Sequence, residues 1–209
     1  EEFLWANGIN DKVIDSVKSC FESETIVPEG IHTVMMELLY RYVIVGGLPE
    51  IVNTFLETKN IELTYKAQRN LIVGYEEDMV KYADDADKSR IRECFESIPK
   101  QLAKENKKFQ YSVVRKGGRS SQYIGSIQWL EDAGLIIRSF RITKPDIPLI
   151  AYMEMNSFKM FTLDVGLLGA KANIHARVLL DGCRIFEEFK GALTEQFVAQ
   201  QLKASDREL

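Results

Sequence analysis

Chemistry in these 209 residues would have to come from a small number of side-chain sets. Glu76, Glu77, Asp78, Asp84, Asp85 and Asp87 are clustered carboxylates, the ligand type that hard divalent cations take. Their spacing matches no fixed ligand loop, and on a helix and its capping turn they would spread around the axis. A solvated acidic face is therefore expected, with no metal. His32 and His175 stand in neither an H-E-x-x-H pair nor a zinc set with paired cysteines. Lys116-Gly117-Gly118-Arg119-Ser120 superficially resembles a phosphate loop but lacks the G-x-x-x-x-G-K-[ST] spacing, so a wing or a turn is expected there. No G-x-S-x-G elbow occurs. We therefore expect no catalytic, cofactor-binding or metal-binding residue. Phosphate contact is the chemistry that remains. Arg115, Lys116, Arg119, Arg138, Arg141 and Lys144 could meet a DNA backbone, while Ser121, Gln122 and Gln128 can bond phosphates or base edges.

The charge distribution supports that choice. Lys100–Lys144 holds ten basic residues against Glu105, Glu131 and Asp132, a net of +7 in a chain whose total is −4. A basic island in an acidic protein is the footprint expected of phosphate contact. The alternative is a charged face that balances acidic neighbours within the fold, leaving a module for protein interaction or oligomerisation. The candidate reading helix carries Ser121, Gly125, Gln128 and Asp132 as its polar stripe, with Glu131 beside it. Two carboxylates near its C-terminal end disfavour strong base readout, so weak and non-specific binding of double-stranded DNA is expected.

These residues need elements to hold them. Tyr123, Ile124, Ile127 and Leu130 are spaced as one buried helix face. Ser120 or Ser121 could cap the helix start and Gly134 its end. Pro99 onward reads as an earlier helical pattern, separated from this one by a short extended run. Leu135–Ile142 reads as a strand, Lys144-Pro145-Asp146 as a turn, and Leu149–Tyr152 as a return strand. That order predicts a winged helix-turn-helix, the variant with a hairpin wing.

Upstream, helices are expected over 11–22, 31–45, 49 onward and 61–82. Phe3, Leu4 and Trp5 should dock on the body, and Phe21 should lie on the apolar face of the first of these helices. Gly46-Gly47 with Pro49 predicts a tight, buried corner between two helices. A short helix over 87–97 should lead into the winged unit. Downstream, 158–170 suggests a strand followed by a helix that Asp164 could cap. A last amphipathic helix from about Gly191 should bury Leu193, Phe197, Val198 and Leu202. The resulting class is mainly α (α+β): a helical part over 1–83, a winged-helix domain over 84–155, and a third part over 156–209.

No apolar run is long enough to span a bilayer, so no membrane partner is expected. Cys20, Cys94 and Cys183, odd in number and far apart, suggest reduced thiols and a cytoplasmic protein. The chain opens without methionine, from which we expect an excised fragment.

Six phrases in order, EFLWANG, RYVIVGGLPEIV, SIPKQLAKENKKFQYSVV, GRSSQYIGSIQWLEDAGLI, FKMFTLDVGLL and EEFKGALTEQFVAQQL, carry a resemblance over nearly the whole chain. It resembles the region of unknown function that follows the P-loop domain in prokaryotic AAA-type ATPases. The resemblance implies that ATP and Mg belong to a preceding domain absent here, and that this ATPase domain is a partner of the chain. It also implies that a PD-(D/E)XK nuclease-like α/β fold begins at the last helix. Glu195 matches the glutamate of that fold's first helix, without the co-ligands a metal would need. The fragment itself is expected to be non-catalytic, with an oligomer as a further possibility.

Overall fold

A computed structural model describes residues 1–83, 87–104, 108–174 and 184–205, the last segment with side chains from 189. The described residues are mainly helical, with one two-stranded antiparallel sheet among them. Five helices come first: α1 (Glu2–Ala6), α2 (Asp11–Glu22), α3 (Glu29–Val45), α4 (Pro49–Thr58) and α5 (Ile61–Tyr82). Asn60 caps α5 by accepting from the Glu62 and Leu63 amides, as a short polar side chain at that position should. Then come α6 (Lys88–Leu102), α7 (Tyr111–Val114) and α8 (Ser120–Asp132), followed by strands β1 (Ile136–Ile142) and β2 (Met153–Thr162). Helices α9 (Val165–Lys171) and α10 (Arg184–Ala204) follow. Among the described residues, no helix is long and apolar enough to cross a membrane.

One core joins most of these elements. Ile72 and Met79 of α5 share it with Phe95 and Ile98 of α6, Ile127 and Leu130 of α8, Met160 of β2, Leu168 of α9 and Leu193 of α10. A second cluster, with Phe3, Leu38, Val45, Ile51 and Phe55, ties α1 to the α3–α4 corner. Of the N-terminal apolar trio, Phe3 is buried and Trp5 half-exposed, its indole N–H donating to Asp11 at 2.7 Å.

Several expectations need correction. Ile124, Phe21 and Val198 are exposed, not buried, because among the described residues no neighbouring element covers them. Helix α6 does not stop at residue 97 but runs through Pro99 to Leu102. A proline in the last two turns removes only one backbone bond, and buried Ile98, Gln101 and Leu102 hold the turn in place. Leu149–Tyr152 is a 3-10 turn entered through Pro148, and the return strand is β2, with Ile142 opposite Met153. Neither serine caps α8. Arg119 occupies the cap position, and the Gln122 side chain accepts from its amide at 2.9 Å. Gly134 ends α8 as expected, with φ +71° and the Leu135 amide bonded back to the Leu130 carbonyl.

Burial also perturbs one lysine. The Lys171 ammonium lies 3.6 Å over the ring of Phe95, itself wholly buried. Desolvation brings its pKa down to about 8, against the opposing pull of Glu76 and Glu96. Between about pH 8 and the ordinary lysine range the unfolded chain then holds more protons than the folded one, so stability rises with pH across that window. The stability gap between Lys171→Met and the native chain, measured by urea unfolding at pH 7.5 and 9.5, should narrow as pH rises, since the opposing titration of Cys94 is common to both. The variant should be the more stable at pH 7.5, by on the order of 1 kcal/mol.

Candidate nucleic-acid interface

Helix α8 is held from behind by α6. Tyr123, Ile127 and Leu130 pack into the core that contains Ile91, Cys94, Phe95 and Ile98. The Cys94 thiol is buried there, and its pKa is pushed up to about 12 by desolvation, so it is an inert packing group. Phe109 and Gln110, just before α7, are fixed by two side-on contacts. The Gln101 amide exchanges bonds with the Gln110 backbone at 2.9 and 3.0 Å, and the Phe109 amide donates to the Phe158 carbonyl of β2 at 2.8 Å. Lys116-Gly117-Gly118 is the tight turn between α7 and α8. Gly117 has φ +80°, and a Cβ on Gly118 would sit 2.6 Å from the Tyr111 carbonyl oxygen.

This frame gathers the candidate DNA-binding residues into three groups. Arg115, Lys116, Arg119, Ser121 and Gln122 lie together, all exposed, on the α7–α8 turn and the first turn of α8. Arg115 is held by Glu93 of α6 at 2.8 Å, and the same carboxylate accepts from the Tyr123 hydroxyl at 3.1 Å. Lys116 and Arg119 have no ion pair among the described residues. Gln128 and Arg138 form the second group, at the base of the hairpin. The Arg138 side chain is only one-tenth exposed and donates to Gln128 and Glu131, with its guanidinium over the rings of Phe140 and Phe158. Gln128 also donates to Asp132 at 2.7 Å. Arg141 and Lys144 form the third group, along the hairpin. They face Glu154 at 3.7 Å and Asp146 at 2.6 Å respectively. A register shift after Phe140 leaves three extra residues on β2 before Glu154 comes opposite Arg141. Glu93 and Glu154 escaped sequence reasoning, because each meets its arginine through tertiary packing or an irregular register.

Two other candidate sites have a geometry. Glu195 on α10 pairs with Lys159 of β2 at 3.0 Å, beside a groove of about 840 Å³ bounded by Lys108, Arg141, Phe161, Val198 and Leu202. Among the described residues, no group of three or more His, Cys, Asp or Glu side chains is placed to hold a metal ion. Asp84, Asp85, His175 and Cys183 lie outside the described residues.

Asp164 is the most deeply buried carboxylate described, 1% exposed. One oxygen accepts from the amides of Gly166 and Leu167, capping α9. The other accepts from the Gly47 amide at 2.8 Å and the Gln200 side-chain amide at 3.0 Å. Burial raises its pKa, and these four donors oppose the shift. Gln200 and Gln201 both donate onward to the Tyr42 hydroxyl. The constellation fastens α3, the Gly46-Gly47 corner, α9 and α10 together.

A search of curated proteins finds no match, nor does a search of solved structures. A family model described as a domain of unknown function, DUF8612, matches residues 36–177, from the middle of α3 to just beyond α9. That span includes the Gly46-Gly47 corner, α8, the hairpin and Asp164, and is more than half of the chain: the protein belongs to the DUF8612 family.

Proposed function

We propose that this chain is a non-catalytic module of a prokaryotic AAA-type ATPase, and that α8 with the β1–β2 hairpin acts as a winged helix on double-stranded DNA. The observation that carries this reading is the Phe109–Phe158 backbone bond. It ties the residue just before α7 to β2, so that α6, α7, α8 and the β1–β2 hairpin pack as one unit in which α8 leads into the hairpin, as in a winged helix. On that unit Lys116, Arg119, Ser121 and Gln122 stand exposed at the start of α8 and point to phosphate contact without base readout. The six ordered phrases support the ATPase parent.

Duplex binding is weak, non-specific and steeply salt-dependent. Fluorescence anisotropy across a salt series should give a log–log slope of about −2 to −4, with about 0.9 for each phosphate met. Lys116→Ala with Arg119→Ala should flatten the slope by about two units and weaken every sequence alike. Gln128→Ala should leave sequence preference unchanged, because its amide is already bonded to Arg138 and Asp132. Duplex binding that is absent at low salt, or indifferent to the double variant, favours the second reading, a protein-interaction module that positions the ATPase domain. The pairing of Arg115, Arg138, Arg141 and Lys144 with carboxylates of the same chain is the observation on its side.

A further inference from the structure

Among the described residues, the β1–β2 sheet has an unpaired side. In an antiparallel pair, the backbone groups of successive residues point alternately toward the partner strand and away from it. Thr162 and Phe158 of β2 point away from β1: Thr162 exchanges two bonds with the Gln196 amide, and the Phe158 carbonyl accepts from Phe109. Their register partners Ile136 and Phe140 therefore point away from β2, as does Arg138 between them. Among the described residues, nothing bonds to the outward amides and carbonyls of these three residues. Such an edge is ordinarily blunted by proline, by charge or by a covering element. Here a groove of about 630 Å³ borders Ile136, Arg138 and Phe140. The end of α8 at Gly134 forms one wall and Lys203 of α10 the other, while Ile137, Met153 and Leu163 give an apolar lining and Ile150, 75% exposed, stands at the side.

We propose that this groove receives an extended peptide segment of a partner protein, which adds to β1 as a third strand. The unsatisfied groups are amide donors and carbonyl acceptors at strand spacing, and their complement is another peptide backbone. Five residues from Ile136 to Phe140 offer an edge of roughly 15 Å at about 3.4 Å per residue, so four to six residues of the partner are engaged. Alternate side chains of that segment are apolar and meet Ile137, Met153 and Ile150. Lys203 at the mouth selects an acidic residue near one end. A second copy of this chain does not fit, because its own β1 edge is recessed between two helices, each about 10 Å across with side chains. The inference is independent of DNA binding by α8.

The probe is a fluorescein-labelled, acetylated hexapeptide of alternating valine and threonine, titrated into the whole chain and read by anisotropy. Binding should slow hydrogen exchange at the Ile136, Arg138 and Phe140 amides. Two further peptides carry backbone N-methyl groups, one on all valines and the other on all threonines. Only one of these sets faces the edge, so the two should differ in affinity at least tenfold. Ile150→Lys, a change at an exposed position, should weaken the parent peptide several-fold with the melting temperature unchanged. Failure of all three peptides to bind would overturn the proposal. Equal loss with both methylated forms, or binding indifferent to Ile150→Lys, would do the same, and so would a sedimenting dimer that protects the same three amides without peptide.

Discussion

Asp164→Ala should cost about 3–5 kcal/mol of folding stability, because it strands the Gly47, Gly166 and Leu167 amides and the Gln200 side chain, at about 1–3 kcal/mol for each buried donor that finds no substitute. Asp164→Asn separates the two halves of that loss. Its oxygen can still cap α9, but its NH2 group then faces the Gly47 and Gln200 donors, so the cost should fall between wild type and alanine. Gly46→Ala attacks the same joint from the other side. Gly46 has φ +81°, and a Cβ there would sit 2.0 Å from an Asp164 oxygen, so the corner must open. Urea denaturation followed by far-UV circular dichroism measures all three. An alanine variant within about 0.5 kcal/mol of wild type, the range of ordinary surface changes, would mean that Asp164 is dispensable.

Gln196→Ala is the second large effect. This glutamine is fully buried and acts as a one-residue strand: its Oε1 accepts from the Thr162 amide at 2.9 Å, and its Nε2 donates to the Thr162 carbonyl at 2.7 Å. The Thr162 hydroxyl lies 3.1 Å from the same oxygen. Truncation leaves two backbone groups unsatisfied beside a new cavity, at a cost of about 3–4 kcal/mol. Gln196→Glu keeps one oxygen acceptor but turns the Nε2 donor into a second acceptor facing the Thr162 carbonyl, so it should be nearly as damaging. Native-state hydrogen exchange should report the loss first at the α10 end of β2.

Elements governed by local rules were readable from the chain. Helix α5 starts and stops where its apolar spacing says, Pro49 opens α4, and Asp164 caps α9. What periodicity leaves open is how wide an arc each helix buries, which depends on neighbours far away in sequence; hence Ile124, Phe21 and Val198. The apolar run Leu149–Tyr152 resembles a strand but follows Pro148 at the tip of the hairpin, where no strand among the described residues stands opposite to pair with it. In the candidate interface, residue types and the α8–hairpin frame were legible, while the acids facing the arginines were not. Glu93 lies 22 residues from Arg115, and Glu154 reaches Arg141 only across a register shift. The Gly46-Gly47 corner was readable as tight, but its tightness comes from Asp164, which no local pattern places above it.

That joint also sets an order on folding. Asp164 and Gly47 are 117 positions apart, and the Gln200–Tyr42 bond behind them closes 158 positions. Loops of that length form only after the elements they connect have assembled, since the entropy of closure precedes any contact that rewards it. The α5–α6–α8 helices, whose contacts are shorter in range, can collapse before the bolt slides home. Weakening the bolt should therefore leave the refolding rate nearly untouched and appear almost entirely as faster unfolding, the signature of an interaction absent from the transition state. The protein would then hold its native state by a latch that closes last, and its lifetime would be set at Gly46, Gly47 and Asp164 while its speed of assembly is decided elsewhere.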